Sequence, residues 1–576
     1  MPHVLRDLAF LGDGRRGAVL GPSGDIGFLC VPDWHSPDVF ATLLGGRGQY
    51  TVTPADPHHT WGGFYEPGTL IWTNRWVTRD GVVHCRDALA FPGDPHGPML
   101  LRRIEAVEGD AVLDVSLDVR GGFGRYRGQA HRHRDGSWTG RCGALRWRWS
   151  ARFGVRAGDD GVLRGRLRVP AGSRYDLVLQ IADRDPDPQE ADPLAAWERT
   201  EAAWLAERPE LDGLPAARDA AHAVAVLRGM MHPGGGIVAA ATTSVPERAE
   251  QGRNYDYRYA WLRDLCITGH AAAAAGVDGL LDGVVRFVAA RLNEHGPATA
   301  PAYTVTGAPV PDERPVPGLP GYPGGVAITG NHVNDQFQLD MFGNALGLFA
   351  AAARAGRLDA GAEAAMRAAA RTIAERWRHP DNGIWELAPA RWTQSGLTAV
   401  AGLRAAAEAA PERIGAAAAR DWTGLADRMA ADLARHHTHP SGRWQRARDD
   451  PRVDAALLLP PLFGALDDAD PRYRATLAAV AAELTEDDLV YRYRPDDRPL
   501  GEAEGAFLLC GFAHAQALHR AGDTVAAVRV FERNRAACGP PGLFAEEYDV
   551  RQRQLRGNLP QSFVHAMLLQ AACVLR

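Results

Sequence analysis

The chain changes its hydrophobic rhythm partway along its 576 residues. From residue 1 to about 185, short alternating or apolar runs are cut by Gly, Pro and Asp, as in RGAVLG, IGFLCVP, AVLDVSLDVRG, ALRWRWSARFGV, LRGRLRVP and YDLVLQIA. A period of two over four to eight residues marks strands with one buried face. The spacing of these runs predicts an N-terminal antiparallel β-sandwich over 1–185. In GTLIWTNRWVTRDGVVHCRD the central RDG predicts a hairpin turn. The acidic, Pro-rich 183-DRDPDPQEADP-193 ends this pattern, and LAAWERTEAAWLAERP follows with helical period. A linker with one bridging helix over 186–212 accounts for both.

From 213 to 576 the text becomes Ala- and Leu-rich segments of helical length, roughly twelve, running from AARDAAHAVAVLRGM to LPQSFVHAMLLQAACVL. Twelve helices pair as six hairpins. Closing them into an (α/α)6 barrel buries every hairpin and leaves a funnel at one end, while the helix count alone also fits an open solenoid. The predicted fold is therefore multidomain: a β-sandwich over 1–185 followed by an all-α domain of helical hairpins over 213–576, an (α/α)6 barrel or an open solenoid.

Composition narrows the function. A hydrophobic fraction of 46% and a charged fraction of 23% describe an ordinary globular protein, longer than the about 250–300 residues at which a single core stops growing. Net charge is -6 and no long basic block is present, which excludes a nucleic-acid footprint and fits a small neutral or polar ligand. All 64 basic residues are Arg. Without a lysine amine there is no Schiff base, no pyridoxal phosphate attachment and no Walker-type phosphate loop, so no cofactor is expected. The seven Cys are scattered and never spaced CxxC, reading as reduced core thiols. HRHRD and RHHTHP lack a partner acid at helical spacing and predict surface histidines, with no metal site. MPHVLRDLAFLGDGRRG has no sustained apolar core before a cleavage site, and no run of 18 apolar residues follows; a cytoplasmic protein without a membrane partner is expected.

Chemistry concentrates between the helices. In 381-DNGIWELAPARW-392 the carboxylate of Glu386 stands between Trp385 and Leu387. Desolvation there favours the protonated form, ready to be donated; an exposed Glu at a helix start is the alternative reading. In 250-EQGRNYDYRYAWLRD-264, Tyr257, Trp261, Arg263 and Asp264 offer rings to stack on a sugar and a fork to bind its hydroxyls, although an Arg–Asp helix cap uses the same residues. In 541-PGLFAEEYD-549, Glu546, Glu547 and Asp549 share a loop with Tyr548, where a carboxylate near water serves as a base. Two carboxylates in unlike environments are what glycoside hydrolysis requires.

These segments, together with LAFLGDGRRGAVLGPSGDIGFLCVPDWHSPDVFATLLG, YEPGTLIWTNRW, GGIVAAATTSVPE, GNHVNDQFQLDMFG and GNLPQSFVH in order along the chain, resemble glycoside hydrolase family 15, the glucoamylase and bacterial trehalase-like family. The resemblance implies an inverting exo-α-glucosidase on an (α/α)6 barrel. Glu386 would be the general acid and Glu546 the general base, Arg263 and Asp264 would hold the terminal glucose, and Tyr257, Trp261, Trp385 and Glu547 would contact substrate. A short oligosaccharide of maltose or isomaltose type is the expected substrate, with α,α-trehalose as the alternative and a silent sugar-binding protein as the alternative of another class. The chain departs from the family at Leu387, Gln394, Gly396, Val400 and Pro323, positions expected to shape the rim and the leaving-sugar subsite.

Overall fold

A computed structural model describes residues 3–189, 192–248 and 253–576. Residues 190–191 of the predicted linker and 250–252 at the head of EQGRNYDYRYAWLRD lie outside the described residues. The N-terminal part is two eight-stranded sheets, all of whose pairings are antiparallel. The predicted hairpin is present: Trp72–Val77 pairs with Val82–Leu89, closed by the Thr78 N–H donating to the Gly81 carbonyl.

Alternation within the first strands decides how the sandwich meets the helices. Along Ala9–Gly12, Ala9 and Leu11 point into the core between the sheets, and Phe10 points into the core shared with the barrel. Side chains of successive strand residues leave opposite faces, so a strand buried on both sides is apolar throughout. The helix Pro193–Ala206 is capped by Asp192, which accepts from the Leu194 N–H, and starts on Pro193. Its Trp197 lies under the guanidinium groups of Arg86 and Arg103 from the sandwich, while the carbonyl of Trp204 accepts from Arg228 of the first barrel helix, Ala217–Met230.

Six inner segments follow: Leu262–Ala275, Leu339–Arg354, Thr393–Ala409, the short Ala455–Leu458 with Leu459–Leu462, Leu508–Arg520, and Ser562–Val574. Each packs on the next, and the last packs on the first, so the ring closes. Ser562–Val574 also packs on Ala217–Met230, which supplies its outer partner from the far end of the sequence. That contact rules out an open solenoid. Outer helices such as Ala416–His436 bury one stripe only, whereas Ser562–Ala572 is buried all round; the difference is the one expected between a surface and a core helix. The residues just before each inner segment converge on one end of the ring, where helix N-termini present unpaired N–H groups and positive dipole ends. No helix among the described residues is long and apolar enough to cross a membrane.

Candidate active site

A cavity of about 290 Å³ opens at this end, lined by residues from several of these loops, Glu386 and Glu546 among them. Glu386 sits in a turn, not at a helix start; the next helix begins at Thr393. The turn is clasped from both sides. Asn382 donates from Nδ2 to the Leu387 carbonyl, and its main-chain carbonyl accepts from the Leu387 N–H. Asp381 accepts from the Gly383 N–H and from Ser395 Oγ, both at 2.8 Å. Within this clasp Glu386 is held at φ 55°, a left-handed conformation that a non-Gly residue adopts at a cost of about 1–3 kcal/mol and that clusters at functional positions. Its Oε1 accepts from Trp261 Nε1 at 2.7 Å and lies 3.4 Å from Arg263 Nη2.

Beside it, Arg263 donates from Nη1 to Gln338 Oε1 at 2.7 Å, leaving Nε buried without a hydrogen-bond partner. That Nε faces Asp264 Oδ1 at 3.6 Å, an ion pair within the wall. Burial pushes the Asp264 carboxyl up to about 7, offset by Arg263 and reinforced by Glu386 and Asp340. Both side chains line the cavity.

The opposite wall is denser in charge. Glu546 and its neighbour Glu547 are buried, with Glu247 and Glu504 close by. Arg492 Nη2 lies 2.7 Å from Glu504 and 3.4 Å from Glu547; Arg253 bonds Glu247 at 2.9 Å and Glu504 at 3.3 Å. Burial, then Glu247, hold the Glu546 carboxyl well above the ordinary carboxylate range, against the pull of Arg492. The two walls are joined across the cavity. The Tyr257 hydroxyl lies 3.4 Å from Glu546, and its ring meets Trp261 edge-on at 5.5 Å, the Trp whose indole bonds Glu386. Tyr257 is steadied by the residue after it: Arg258 is fully buried, pairs with Asp256 at 2.8 Å, and donates to Cys30 Sγ and the Ser36 carbonyl of the sandwich.

Of the residues expected to meet substrate, Tyr257, Trp261, Arg263, Asp264, Trp385, Glu386 and Glu546 line one cavity. Glu547 does not. It is turned behind the wall, where Arg492 and the Gly505 N–H occupy its oxygens. The expected environments of the two carboxylates are also reversed, for Glu546 is buried whereas Glu386 is only partly buried. Trp385, thought to desolvate Glu386, instead donates its indole N–H to Asp454 and packs on Phe507. Among the departing positions, Leu387 lines the cavity, but Gly396 and Val400 lie inside the barrel wall, Gly396 against Leu433, and Gln394 is buried in the same helix. Pro323 is exposed, in a turn outside the cavity. His437, expected at the surface, is buried with Nδ1 2.9 Å from Thr393 Oγ1, and burial pushes it down to about 4. Glu247, Arg253 and Arg492 were missed. TTSVPE and YRYRPDD carry no spacing that distinguishes them from solvated loops, and their pairing is set by the barrel. Among the described residues no His, Cys, Asp and Glu cluster suits a metal ion.

The model of "Glycosyl hydrolases family 15" matches residues 221–573, and that of "Trehalase-like, N-terminal" matches residues 2–139. A trehalase of Mycobacterium tuberculosis is 31% identical over 98% of this chain and 89% of its own length, and a trehalase of Mycolicibacterium smegmatis is 29% identical over 98% and 90%. Among solved structures, a bacterial glucoamylase complexed with acarbose superposes with a TM-score of 0.72 over 99% of this chain and 94% of its own at 13% identity, a likeness of fold. With its catalytic barrel matched almost end to end and a full-length relative above 30% identity, the chain belongs to glycosyl hydrolases family 15 and is a glycoside hydrolase.

Proposed function

We propose that the protein is an inverting α,α-trehalase in which Glu386 is the general acid and Glu546 the general base. The observation that carries the reaction type is that these two carboxylates, brought from loops 160 positions apart in sequence (546 − 386), open onto one cavity with Arg263 and Asp264 beside the first. Glu386 protonates the glycosidic oxygen as the bond breaks, and Glu546 takes a proton from the water that attacks the anomeric carbon from the opposite face. Trehalose is favoured over maltose- or isomaltose-type oligosaccharides because the relatives that span this chain, N-terminal sandwich included, are named trehalases. The cavity, about 290 Å³ and at the lower edge of the about 300–1,000 Å³ usual for small-molecule sites, suits a disaccharide.

Proton NMR of the anomeric signals during the first turnovers tests this. Trehalose should yield α- and β-glucose in equal amounts, since the attacked ring inverts and the leaving ring keeps its configuration. Only α-glucose at early times would refute inversion. Release of glucose from maltose or isomaltose but not from trehalose would move the substrate assignment to those sugars.

A further inference from the structure

Glu247 ends the segment TTSVPE and is buried, yet it borders the cavity. Arg253 Nη2 donates to its Oε2 at 2.9 Å, while Oε1 lies 3.2 Å from the Tyr257 hydroxyl, which is also 3.4 Å from Glu546 Oε2. One hydroxyl proton thus stands between two carboxylates. Gly557 backs both of them: a Cβ at that position would lie 3.5 Å from Cγ of Glu247 and 3.5 Å from Cβ of Glu546. After burial, the charge of Glu247 is the main influence that raises the Glu546 carboxyl. Arg253 supplies Glu247 with a counter-ion. From the surrounding elements, Arg492, Glu504 and Glu547 stand behind the pair, Tyr255 and Tyr257 flank it, and Glu386 faces it across the cavity.

We propose that Glu247 is a positioning carboxylate that accepts a hydrogen bond from the proton Glu546 removes from water, and so strengthens Glu546 as a base. This rests on the reading of Glu546 as the general base. As the water oxygen bonds to the anomeric carbon, its O–H bond breaks and the proton passes to Glu546. The glycosidic C–O bond breaks with its electron pair on the leaving oxygen, which takes the proton of Glu386. The wall therefore moves from two adjacent negative charges to one charge hydrogen-bonded to a neutral acid. Repulsion present before reaction is relieved as it proceeds, which is the kind of difference that lowers a barrier. The cost falls on the acid side, where Glu546, raised by burial and by the charge of Glu247, takes up a proton before substrate is cleaved.

The test is the pH dependence of kcat and kcat/KM for Glu247→Gln and Glu247→Asp. Replacing the charge in Glu247→Gln should move the acid limb to lower pH by about one unit or more and lower kcat at the optimum by about 10- to 100-fold with KM little changed. Glu247→Asp, which withdraws the carboxylate by one methylene and keeps the pair with Arg253, should give an intermediate limb and partial rescue, and it carries the test if the Gln variant fails to fold. An acid limb unmoved in Glu247→Asp, or a higher KM with unchanged kcat, overturns the inference. Glu546→Gln separates the two layers. Near wild-type turnover in that variant removes Glu546 as the base and the present inference with it, whereas an inactive Glu546→Gln beside unmoved Glu247 profiles removes only the role of Glu247.

Discussion

The two walls of the cavity hold a carboxylate each, and they do so by opposite means. Around Glu386 the positioning is done by backbone: a clasped turn forces φ 55°, and two neutral or cationic donors, Trp261 and Arg263, meet a single oxygen. Around Glu546 it is done by charge, with Glu247, Glu504 and Glu547 crowded about Arg253 and Arg492 in a buried wall. Geometry fixed by a turn survives a change of protonation; geometry fixed by buried ions depends on it. The contrast teaches that the acid limb of activity, where the base takes up a proton, should be set by the charges around Glu546.

The largest expected effect treats the walls alike. Glu386→Gln and Glu546→Gln should each lower kcat by about 10²- to 10⁴-fold, the usual worth of a general acid or base, measured as initial glucose release. A variant that keeps near wild-type rates loses its assigned role.

Next in size, Arg492→Met should break the symmetry. Removing one partner from a buried ion cluster costs about 3–5 kcal/mol, and here Glu504 and Glu547 lose their common counter-ion. Thermal unfolding should show the loss at neutral pH and a recovery toward acid, where Glu547, raised by burial, takes up a proton. A loss that does not vary with pH would mean that packing against Trp385 and Phe507, not charge, is what Arg492 supplies.

A third measurement reaches the frame behind Tyr257. Asp38 is buried near Arg258 with neither oxygen hydrogen-bonded, and burial pushes its carboxyl from 3.8 to about 7, Arg258 offsetting part of this. The folded value exceeds the unfolded one, so the native state keeps a proton that the unfolded chain has released, and stability falls as pH rises from about 4 to about 7. Asp38→Asn should therefore stabilise the protein above neutrality, by up to a few kcal/mol at about 1.4 kcal/mol for each pH unit between the two values, and leave it unchanged in acid. Equal melting temperatures of the two proteins at alkaline pH would remove Asp38 as a source of pH dependence.

The smallest effect sharpens the Glu386 side. Assayed above about pH 7, where the Asp264 carboxyl is ionised, Asp264→Asn should remove a charged acceptor that lines the cavity beside Arg263. A loss of about 1.5–3 kcal/mol, or roughly 10- to 150-fold in kcat/KM, follows from the worth of charge-assisted hydrogen bonds. An unchanged kcat/KM would leave Asp264 without a role in binding.

Much of this protein was legible along the chain because its signals are local. Alternation in runs such as AVLDVSLDVRG and a 3.6-residue period from Ala217 onward depend on neighbours a few positions away, so the sandwich, the helical hairpins and the loops that bear Trp261, Glu386 and Glu546 could be read directly. What the sequence could not determine were relations between distant segments. Closure of the ring needs Ser562–Val574 against Ala217–Met230. The burial of Glu546 and the relative openness of Glu386, the turning of Glu547 toward Arg492, and the meeting of Glu247 with Glu546 all depend on which loop ends the barrel brings within a few ångströms. A carboxylate's environment is set by its neighbours in space, since desolvation and charge act through distance and not through sequence order; residue identities fixed the reagents, and only the tertiary structure decided how they face one another.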